Sequence, residues 1–268
     1  MNSHFTILGA RGYVGSHLSA YLKKCKDTVV LEDGDAGLPS GLGHVIYCIG
    51  VTTDFASRLE ATMTAHVTKA LEIISRGDFE SFTYLSSTRV YENGDNGDEQ
   101  AVLNGNPAQV ADFYKISKIA GEAVCLTHPR STVRVVRLSN VLGYETPALT
   151  FVPSLITTAL REGRIVIRTA PESVKDYVAM PDVVRMLPEI ALHGRHRLYN
   201  LASGRQTKHD EIVRSISAAT GCTFGYAEGS PQVSFPPVSI SRLREEFDFQ
   251  PVPTAEIIPE LCARYAKN

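Results

Sequence analysis

The feature that most constrains the fold is a glycine motif near the N-terminus, in which Gly9, Gly12 and Gly15 are spaced three residues apart. An apolar run, FTIL, precedes the motif, and apolar residues follow it at helical spacing: Val14, Leu18, Tyr21 and Leu22. The glycines therefore fall in a predicted turn between a buried strand and a helix. Such a turn lets a pyrophosphate approach backbone N–H groups and the positive end of the helix dipole. The motif predicts a dinucleotide site, with an ordinary tight turn as the alternative.

Apolar runs rich in β-branched residues alternate with helical periods along the first half of the chain. The predicted strands are FTIL, TVVL, HVIYCIG, SFTYLSS and VRVVRLSNV. The helix between the third and fourth strands has one apolar face and is expected to end at Gly77. This alternation indicates parallel βαβ units. Only EDGDAGLPSGLGH separates the second strand from the third, so at least one crossover unit is shortened.

After Val141 the alternation loosens. The predicted helices are FVPSLITTALREG, DVVRMLPEIALHG and HDEIVRSISAATG, with RIVIRTA as a strand, and no Gly/Ser-rich linker marks a boundary. We therefore expect an α/β fold, a doubly wound parallel sheet of the Rossmann type. It would comprise a dinucleotide-binding domain at 1–145 and a smaller substrate-binding lobe at 146–268, partly interleaved with the first.

Composition excludes several classes of partner. The 268 residues include 27 basic and 29 acidic side chains, a formal net charge of −2, and 43% are hydrophobic. This balance argues against nucleic acid, a membrane contact and a disordered tail, and favours a small-molecule partner. The five cysteines lack metal-ligand spacing, and the N-terminus lacks the features of a signal peptide. We therefore expect no metal and a cytoplasmic location.

Tyr114 and Lys118 lie four residues apart on a predicted helix, which places both side chains on one face. A neighbouring cation favours the phenolate of a tyrosine, and so moves the group toward proton exchange near neutral pH. The alternative is an ordinary surface pair. Ser86, Ser87 and Thr88 end the strand SFTYLSS, at the sheet edge where the glycine turn also belongs. The sequence therefore predicts a site that joins Ser87, Tyr114 and Lys118.

The chain resembles the extended short-chain dehydrogenase/reductase family, the NAD-dependent epimerases and dehydratases of sugar nucleotides. GARGYVG, LSSTRVY, YKISK and VRLSNVLG are similar to the family's GxxGxxG, SSxxVYG, YxxxK and LRxxNVYG. VKDYVAMPDVV, YNLASG and SISRLREEFDFQP are similar to RDFVYVDDV, YNIGSG and the C-terminal segment that ends in GFxP. The resemblance runs almost end to end, in the family's order.

The resemblance implies a role for each matching residue. Ser87 would hold the substrate oxygen, Tyr114 would transfer its proton, and Lys118 would bind the nicotinamide ribose and lower the pKa of Tyr114. Substrate contacts are expected from Ser87, Thr88, Asn140 and Lys175. Cofactor contacts are expected from Gly9, Arg11, Gly12, Tyr13, Val14, Gly15, Glu32, Asp33, Cys48, Ile49, Gly50, Ser86, Tyr114 and Lys118.

Three departures from the family pattern bear on the site. His66 stands where the family has an asparagine, and is expected to be a structural hydrogen-bond donor. Lys175 replaces an arginine and so lacks the bidentate fork that suits phosphate. SPQVSFPPVS replaces an Arg-Pro-Gly-Asp stretch, which removes an expected diphosphate contact. Arg164, Arg168 and Arg242 are candidates to replace it, or are surface charges.

The cofactor is expected to be NAD, with NADP possible. Glu32 or Asp33, at the end of the second strand, suits the hydroxyl groups of an adenosine ribose and repels a 2′-phosphate. Arg11, inside the glycine turn, favours the phosphate of NADP, as in some reductases of the family. Both alternatives stay open at the level of sequence.

The reaction favoured by the sequence is the reduction of a 4-keto nucleotide sugar. The family's 4,6-dehydratases carry acidic residues where this chain has Thr88 and Arg89, so dehydration is disfavoured. The alternatives are a nucleotide-sugar 4-epimerase with tightly bound NAD, a reductase of another small carbonyl compound, and a non-catalytic dinucleotide-sensing protein. A homodimer is expected to form through the helix from Leu59 to Arg76 and the helix that bears Tyr114.

Overall fold

The computed structural model describes residues 3–25, 28–32, 40–144 and 150–267. The strands are β1 (Ser3–Leu8), β2 (Thr28–Glu32), β3 (His44–Tyr47), β4 (Ser81–Ser87), β5 (Val133–Leu138), β6 (Asn140–Leu142), β7 (Arg164–Ile167), β8 (Val174–Ala179), β9 (Leu198–Leu201), β10 (Gln206–Lys208) and β11 (Thr223–Tyr226). The helices are α1 (Tyr13–Leu22), α2 (Leu59–Met63), α3 (Lys69–Arg76), α4 (Val110–Leu126), α5 (Phe151–Glu162), α6 (Met180–His193), α7 (His209–Thr220), α8 (Ser241–Phe247) and α9 (Thr254–Tyr265).

A six-stranded parallel sheet, in the order β2-β1-β3-β4-β5-β9, organises the larger part of the molecule. Its side chains alternate between two cores, as the period of a strand requires. In β4, Leu85 joins the core on one face of the sheet, whereas Phe82 and Tyr84 join the core on the other. Helices α1 and α6 cover the first face, and α3 and α4 cover the second. The predicted doubly wound α/β fold is confirmed.

The strand order places a topological switch point beside β1. Strands β2 and β3 follow one another in the chain but flank β1 on opposite sides. In open parallel sheets, ligands bind outside the carboxyl ends of the strands at such a point. The predicted shortening of a crossover falls on residues 33–43, of which 33–39 lie outside the described part of the chain.

The prediction of VRVVRLSNV as one strand is wrong, because the segment divides at Ser139 between two sheets. Strand β5 pairs with β9 in the large sheet, whereas β6 pairs with β8 in a three-stranded sheet. The backbone N–H of Ser139 still donates to the Leu201 carbonyl, at 3.1 Å. The break turns the chain from the large sheet toward the smaller lobe, which places Asn140 at the boundary.

The second half of the chain returns to the large sheet. Strand β9 supplies its sixth strand, and α6 packs against α1. The smaller lobe contains the β10-β8-β6 and β11-β7 sheets, with a separate apolar core between α5, α7 and α9. The division at 145 and 146 stays a prediction. No helix in the described ranges is both long and apolar enough to span a bilayer.

The predicted helix from Leu59 to Arg76 contains a π-helical turn, Thr64–Thr68, between α2 and α3. Tyrosine hydroxyl groups from the sheet bind the carbonyl groups of this turn: Tyr47 donates to Ala65 at 2.6 Å, and Tyr84 donates to His66 at 2.9 Å. Helix α4 crosses the same turn at Gly121, where a methyl group would meet the His66 carbonyl oxygen and the Tyr84 hydroxyl. A wider turn and a missing side chain thus bring α4 close to the sheet. At the C-terminal end, Gly77 takes the predicted left-handed conformation.

We expect Gly121→Ala to lower the free energy of unfolding by about 2 kcal/mol, because the added methyl group overpacks α4 against backbone and a tyrosine hydroxyl. Urea denaturation would measure the loss. Gly225→Ala is the matched control, since an added methyl group there meets no described atom within 4 Å. Equal stability of both variants would contradict the close approach at Gly121.

Candidate active site

A cleft of about 700 Å³ opens at the carboxyl edge of the large sheet. Its lining includes residues that follow β3, β4 and β5, together with Lys175 from β8 and an apolar segment from the smaller lobe. Thirteen residues predicted for the site from sequence line the cleft: Gly12, Tyr13, Val14, Cys48, Ile49, Gly50, Ser86, Ser87, Thr88, Tyr114, Lys118, Asn140 and Lys175. In the described ranges, no group of three or more His, Cys, Asp or Glu side chains is arranged to hold a metal ion.

The glycine turn is shaped by backbone contacts. Gly9 has a φ of +85°, and a methyl group there would meet the backbone of Cys48 and Ile49. The N–H of Gly12 donates to the Gly9 carbonyl at 2.9 Å, and a methyl group at Gly15 would collide with that carbonyl. No side chain caps α1, whose first turn holds no acidic residue. The exposed end of α1 therefore fits the pyrophosphate of a dinucleotide.

Four predicted cofactor residues do not line the cleft in the described part of the chain. Gly9 and Gly15 make the close backbone approaches of the turn, and Arg11 is exposed. Glu32 is the last residue of β2. Asp33, the remaining predicted cofactor residue, lies outside the described residues.

Tyr114 and Ser87 meet in the cleft. The Tyr114 side chain comes from α4 and is only 6% exposed, while Ser87 is the last residue of β4. Burial raises the pKa of Tyr114, whereas a hydrogen bond to Ser87 and the positive charge of Arg89 act to lower it. The tyrosine is thus a protonated phenol in this structure and can donate a proton.

Lys118 is bound to the sheet, one helical turn beyond Tyr114. Its Nζ donates to the Leu85 carbonyl at 2.9 Å and lies 5.1 Å from the centroid of the Tyr84 ring. Burial lowers the pKa of Lys118 to about 8, and the charge of Glu122 opposes this effect. The charge of Arg89 acts to lower the pKa of Tyr114, and the expected effect of Lys118 on Tyr114 stays a prediction.

Arg89 was overlooked as a cleft residue at the sequence level. It lies in a 3₁₀ turn, Thr88–Tyr91, directly after β4. Its guanidinium carbon is 5.4 Å from the ring centroids of both Phe55 and Tyr114, and its Nε is 3.2 Å from Oε2 of Glu92. The only sequence signal was its place beside Thr88 in the motif SSTRVY.

His66 connects three parts of the site. Its Nε2 accepts from the backbone N–H of Val51 at 3.2 Å, so Nδ1 carries the proton and donates to Ser117 Oγ at 2.8 Å. Ser117 donates in turn to the Tyr114 carbonyl at 2.8 Å. The His66 ring also contacts the Tyr114 ring edge to face, with centroids 5.4 Å apart. His66 therefore ties the loop after β3 to the helix turn that bears Tyr114.

Ser86, predicted for the cofactor, lines the cleft but directs its hydroxyl inward. Its Oγ donates to Glu122 at 2.5 Å. The guanidinium of Arg137 makes a bidentate pair with the same carboxylate, at 2.6 and 3.0 Å. Arg137 also donates to the Tyr91 hydroxyl at 2.7 Å, which donates to Asn200 at 2.7 Å. This buried network braces the floor of the cleft.

The smaller lobe contributes one cationic side chain and an adjacent apolar segment to the cleft. Lys175 points its ammonium group toward the Phe235 ring, 5.8 Å from the centroid, and burial lowers its pKa. Asn140 donates from its amide to the Asp176 carbonyl at 2.8 Å. The segment that replaces the family's arginine supplies an apolar wall: Val233, Phe235, Pro236 and Val238.

The three arginines considered as replacements lie away from the cleft. Arg164 and Arg168 are exposed on and beside β7. Arg242 donates to the Leu198 carbonyl at 2.7 Å and lies 3.8 Å from the Glu99 carboxylate, so it serves the fold. Lys175 and Arg89 are the cations that the described structure offers to a substrate on this side.

Comparison with known proteins agrees with this geometry. The model of the NAD dependent epimerase/dehydratase family matches residues 38–202, more than half of the chain. A dTDP-glucose 4,6-dehydratase of Streptomyces griseus is 27% identical over 162 residues, which cover 59% of this chain and 48% of that protein. The chain thus matches about half the length of this curated relative.

Solved structures share the whole fold at low identity. TunA, an NAD dependent NDP-hexosamine 5,6-dehydratase involved in tunicamycin biosynthesis, superposes with a TM-score of 0.84 at 18% identity, over 99% of this chain and 98% of that chain. RMD from Pseudomonas aeruginosa, complexed with NADPH, superposes with a TM-score of 0.81 at 19% identity, over 99% and 100%. At these identities the likeness shows the fold.

His66 makes the protein less stable in acid. Burial, with the charge of Lys118 adding to it, lowers the pKa of His66 to about 3. The native state therefore stays neutral while the unfolded state takes up a proton below about pH 6.5, so stability falls as pH falls from 6.5 toward 3. We expect this residue to account for up to about 2 kcal/mol of lost unfolding free energy between pH 7 and pH 5.

His66→Asn should remove that part of the loss, since an amide keeps a donor and an acceptor but does not titrate. Urea denaturation at the two pH values would measure it in both proteins. His209, whose pKa burial lowers to about 4, acts in the same direction and leaves the variant with some acid sensitivity. An unchanged difference between pH 7 and pH 5 in the variant would contradict the buried, neutral state of His66.

Proposed function

The chain belongs to the NAD dependent epimerase/dehydratase family, and we propose on this basis that it is an NAD(P)-dependent oxidoreductase acting on a nucleotide sugar, specifically a 4-ketoreductase. The observation that carries the proposal is the meeting of Ser87, Tyr114 and Lys118 in one cleft, beside a helix end suited to pyrophosphate. The structure needs no rearrangement to bring these three side chains to one edge of the sheet.

Each of the three residues then has one role in the proposed reaction. Ser87 donates a hydrogen bond to the carbonyl oxygen of the substrate and holds it beside Tyr114. Tyr114 donates its phenolic proton to that oxygen as the adjacent carbon is reduced. Lys118 would hold the ribose hydroxyl groups next to the nicotinamide. A bound nicotinamide dinucleotide supplies the hydride.

The dinucleotide would lie along the groove from α1 to Tyr114. Gly12, Tyr13 and Val14 would hold its pyrophosphate, and Cys48, Ile49 and Gly50 would line its path after β3. We propose NAD as the cofactor because the sequence carries two consecutive acidic residues, Glu32 and Asp33, after the apolar run TVVL. The exposed Arg11 within the glycine turn supports NADP as the alternative. Titration of the purified protein with each dinucleotide distinguishes the two.

Dehydration is a poorer fit because the carboxylates that line the cleft in the described ranges are engaged elsewhere. Glu92 pairs with Arg89 at 3.2 Å. Asp176 accepts from the backbone N–H and hydroxyl of Ser203, at 2.9 and 3.0 Å, and from the Arg205 N–H at 3.1 Å. Neither is placed as an unengaged acid that could protonate a leaving hydroxyl group.

Two other reactions use the same three residues. A 4-epimerase would keep its cofactor through purification, so stoichiometric NAD released by denaturing the pure protein would favour it over the reductase. A reductase of a different small carbonyl compound is favoured by the apolar wall of Val233, Phe235, Pro236 and Val238. Thermal stabilisation by UDP, dTDP, GDP or CDP would count against that alternative.

We also propose a homodimer formed through α2, α3 and α4. Three apolar side chains of the first two helices stand in solvent: Leu59, Met63 and Leu71 are 51%, 37% and 47% exposed. Val110, the first residue of α4, is 64% exposed. A second copy would cover this face with the same helices.

Tyr114→Phe should lower turnover of a 4-keto nucleotide sugar by about 10²–10⁴-fold, because the proton donor is lost. Affinity for the dinucleotide should change little, since the ring remains in place. Oxidation of the reduced cofactor, followed by absorbance, and calorimetric titration measure the two effects. Tyr21→Phe, at an exposed position of α1, is the control. Full turnover in Tyr114→Phe would refute the assignment.

Lys175→Gln should raise KM for the nucleotide sugar about tenfold with little change in kcat, because it removes a charge-assisted contact made equally in the ground and transition states. Lys175→Arg should restore most of the affinity. Lys208→Gln, at an exposed lysine of the neighbouring strand β10, should leave KM unchanged. An unchanged KM in Lys175→Gln would place the substrate phosphates elsewhere.

A further inference from the structure

The cation that faces the ring of Tyr114 is Arg89. Its guanidinium carbon lies 5.4 Å from the ring centroid, and the Phe55 ring, also 5.4 Å away, contacts the same guanidinium group. The Phe55 and Tyr114 centroids are themselves 5.5 Å apart. The two rings and the cation therefore form one cluster, of which Arg89 and Tyr114 line the cleft.

Arg89 is held in this cluster from two directions. Its Nε lies 3.2 Å from Oε2 of Glu92, and its backbone N–H donates to Ser87 Oγ at 3.2 Å. The second contact joins the arginine directly to the serine that is hydrogen bonded to Tyr114. The 3₁₀ turn after β4 thus fixes the cation and the hydroxyl partner of the phenol together.

Among the described residues near Tyr114, no second cation contacts its ring as Arg89 does. Lys118 directs its ammonium to the Leu85 carbonyl and the Tyr84 ring. His66, whose ring edge meets Tyr114, is neutral, since one nitrogen accepts from Val51 and the other donates to Ser117. Glu92 and Lys175 act on Arg89 with opposite signs.

We propose that Arg89 is a positioning residue that stabilises the phenolate of Tyr114 and so adjusts its strength as an acid. The inference deepens the proposed function, because it assumes that Tyr114 transfers the proton. A cation beside a phenol favours the charged form, and it does so most effectively where water is excluded. Tyr114 is almost fully buried, so the effect of Arg89 is weakly screened. Burial raises the pKa of Tyr114, and Arg89 opposes that rise.

The test measures the ionisation of Tyr114 directly, in the full-length protein without substrate. Tyrosine labelled with ¹³C at the phenolic carbon reports ionisation by NMR, and Tyr114→Phe identifies the signal. We expect the phenolate fraction of Tyr114 near pH 10 to fall about tenfold in Arg89→Gln. Arg89→Lys should recover part of it, because the positive charge returns without the planar group.

Two further variants separate electrostatics from packing. Glu92→Gln removes the partner of Arg89 but keeps the cation, and should leave the phenolate fraction equal or higher. Arg58→Gln removes a nearby exposed arginine that pairs with Asp54 at 3.0 Å, and should leave it unchanged. An unchanged phenolate fraction in Arg89→Gln, or an equal fall in Arg58→Gln, would overturn the proposal.

The same variants separate this inference from the reaction. If the chain reduces a 4-keto nucleotide sugar, the alkaline limb of the pH profile of kcat/KM should move to higher pH in Arg89→Gln. A phenolate shift in a protein that lacks this activity would support the role of Arg89 and reject the reductase. Reductase activity in Arg89→Gln with an unmoved alkaline limb and an unmoved phenolate signal would support the reductase and reject the role of Arg89.

Discussion

The ion pair between Arg137 and Glu122 is the contact on which the site depends most. It joins β5 to α4 through two hydrogen bonds in the interior, where a lone charge would be costly. Because Glu122 lies one turn beyond Lys118 on α4, the pair also sets the rotation of the helix that presents the lysine and Tyr114. The partners of Arg137 and Glu122, Tyr91 and Ser86, line the cleft themselves.

The local parts of the site were predictable from sequence because their geometry depends on spacing. Tyr114 and Lys118 share a helix face, and Ser87 ends a strand, whatever surrounds them. The glycine turn was equally readable, since Gly12 and Gly15 both approach the Gly9 carbonyl within the turn itself. Five predicted strands are present, although the last is divided, and Gly77 ends its helix as expected.

The parts that were missed depend on tertiary contacts. The place of Arg89 beside Tyr114 depends on Phe55, which comes from a distant loop and contacts both side chains. The ammonium of Lys118 donates to the Leu85 carbonyl, and the charge of Arg89 acts on Tyr114, neither of which could be predicted from spacing. Strand β9 could not be assigned to the large sheet from periodicity, since a strand's pattern does not name its neighbour. His66 kept the structural role expected of it, but its acceptor function needed the position of Val51.

The wall that replaces an expected arginine is hydrogen bonded to the fold through its backbone at Val233 and Phe235, while the side chain of Val238 packs into the core. Val174 N–H donates to the Val233 carbonyl at 2.9 Å, the Val233 N–H donates to Ser173 Oγ at 3.0 Å, and Gln206 donates to the Phe235 carbonyl at 2.5 Å. Hydrogen bonds of the backbone do not depend on which side chains the segment carries. Mutation can therefore exchange Phe235 or Pro236 at little structural cost. If the proposed reaction holds, such exchanges would reshape the side of the cleft that faces the substrate and leave Ser87 and Tyr114 unchanged.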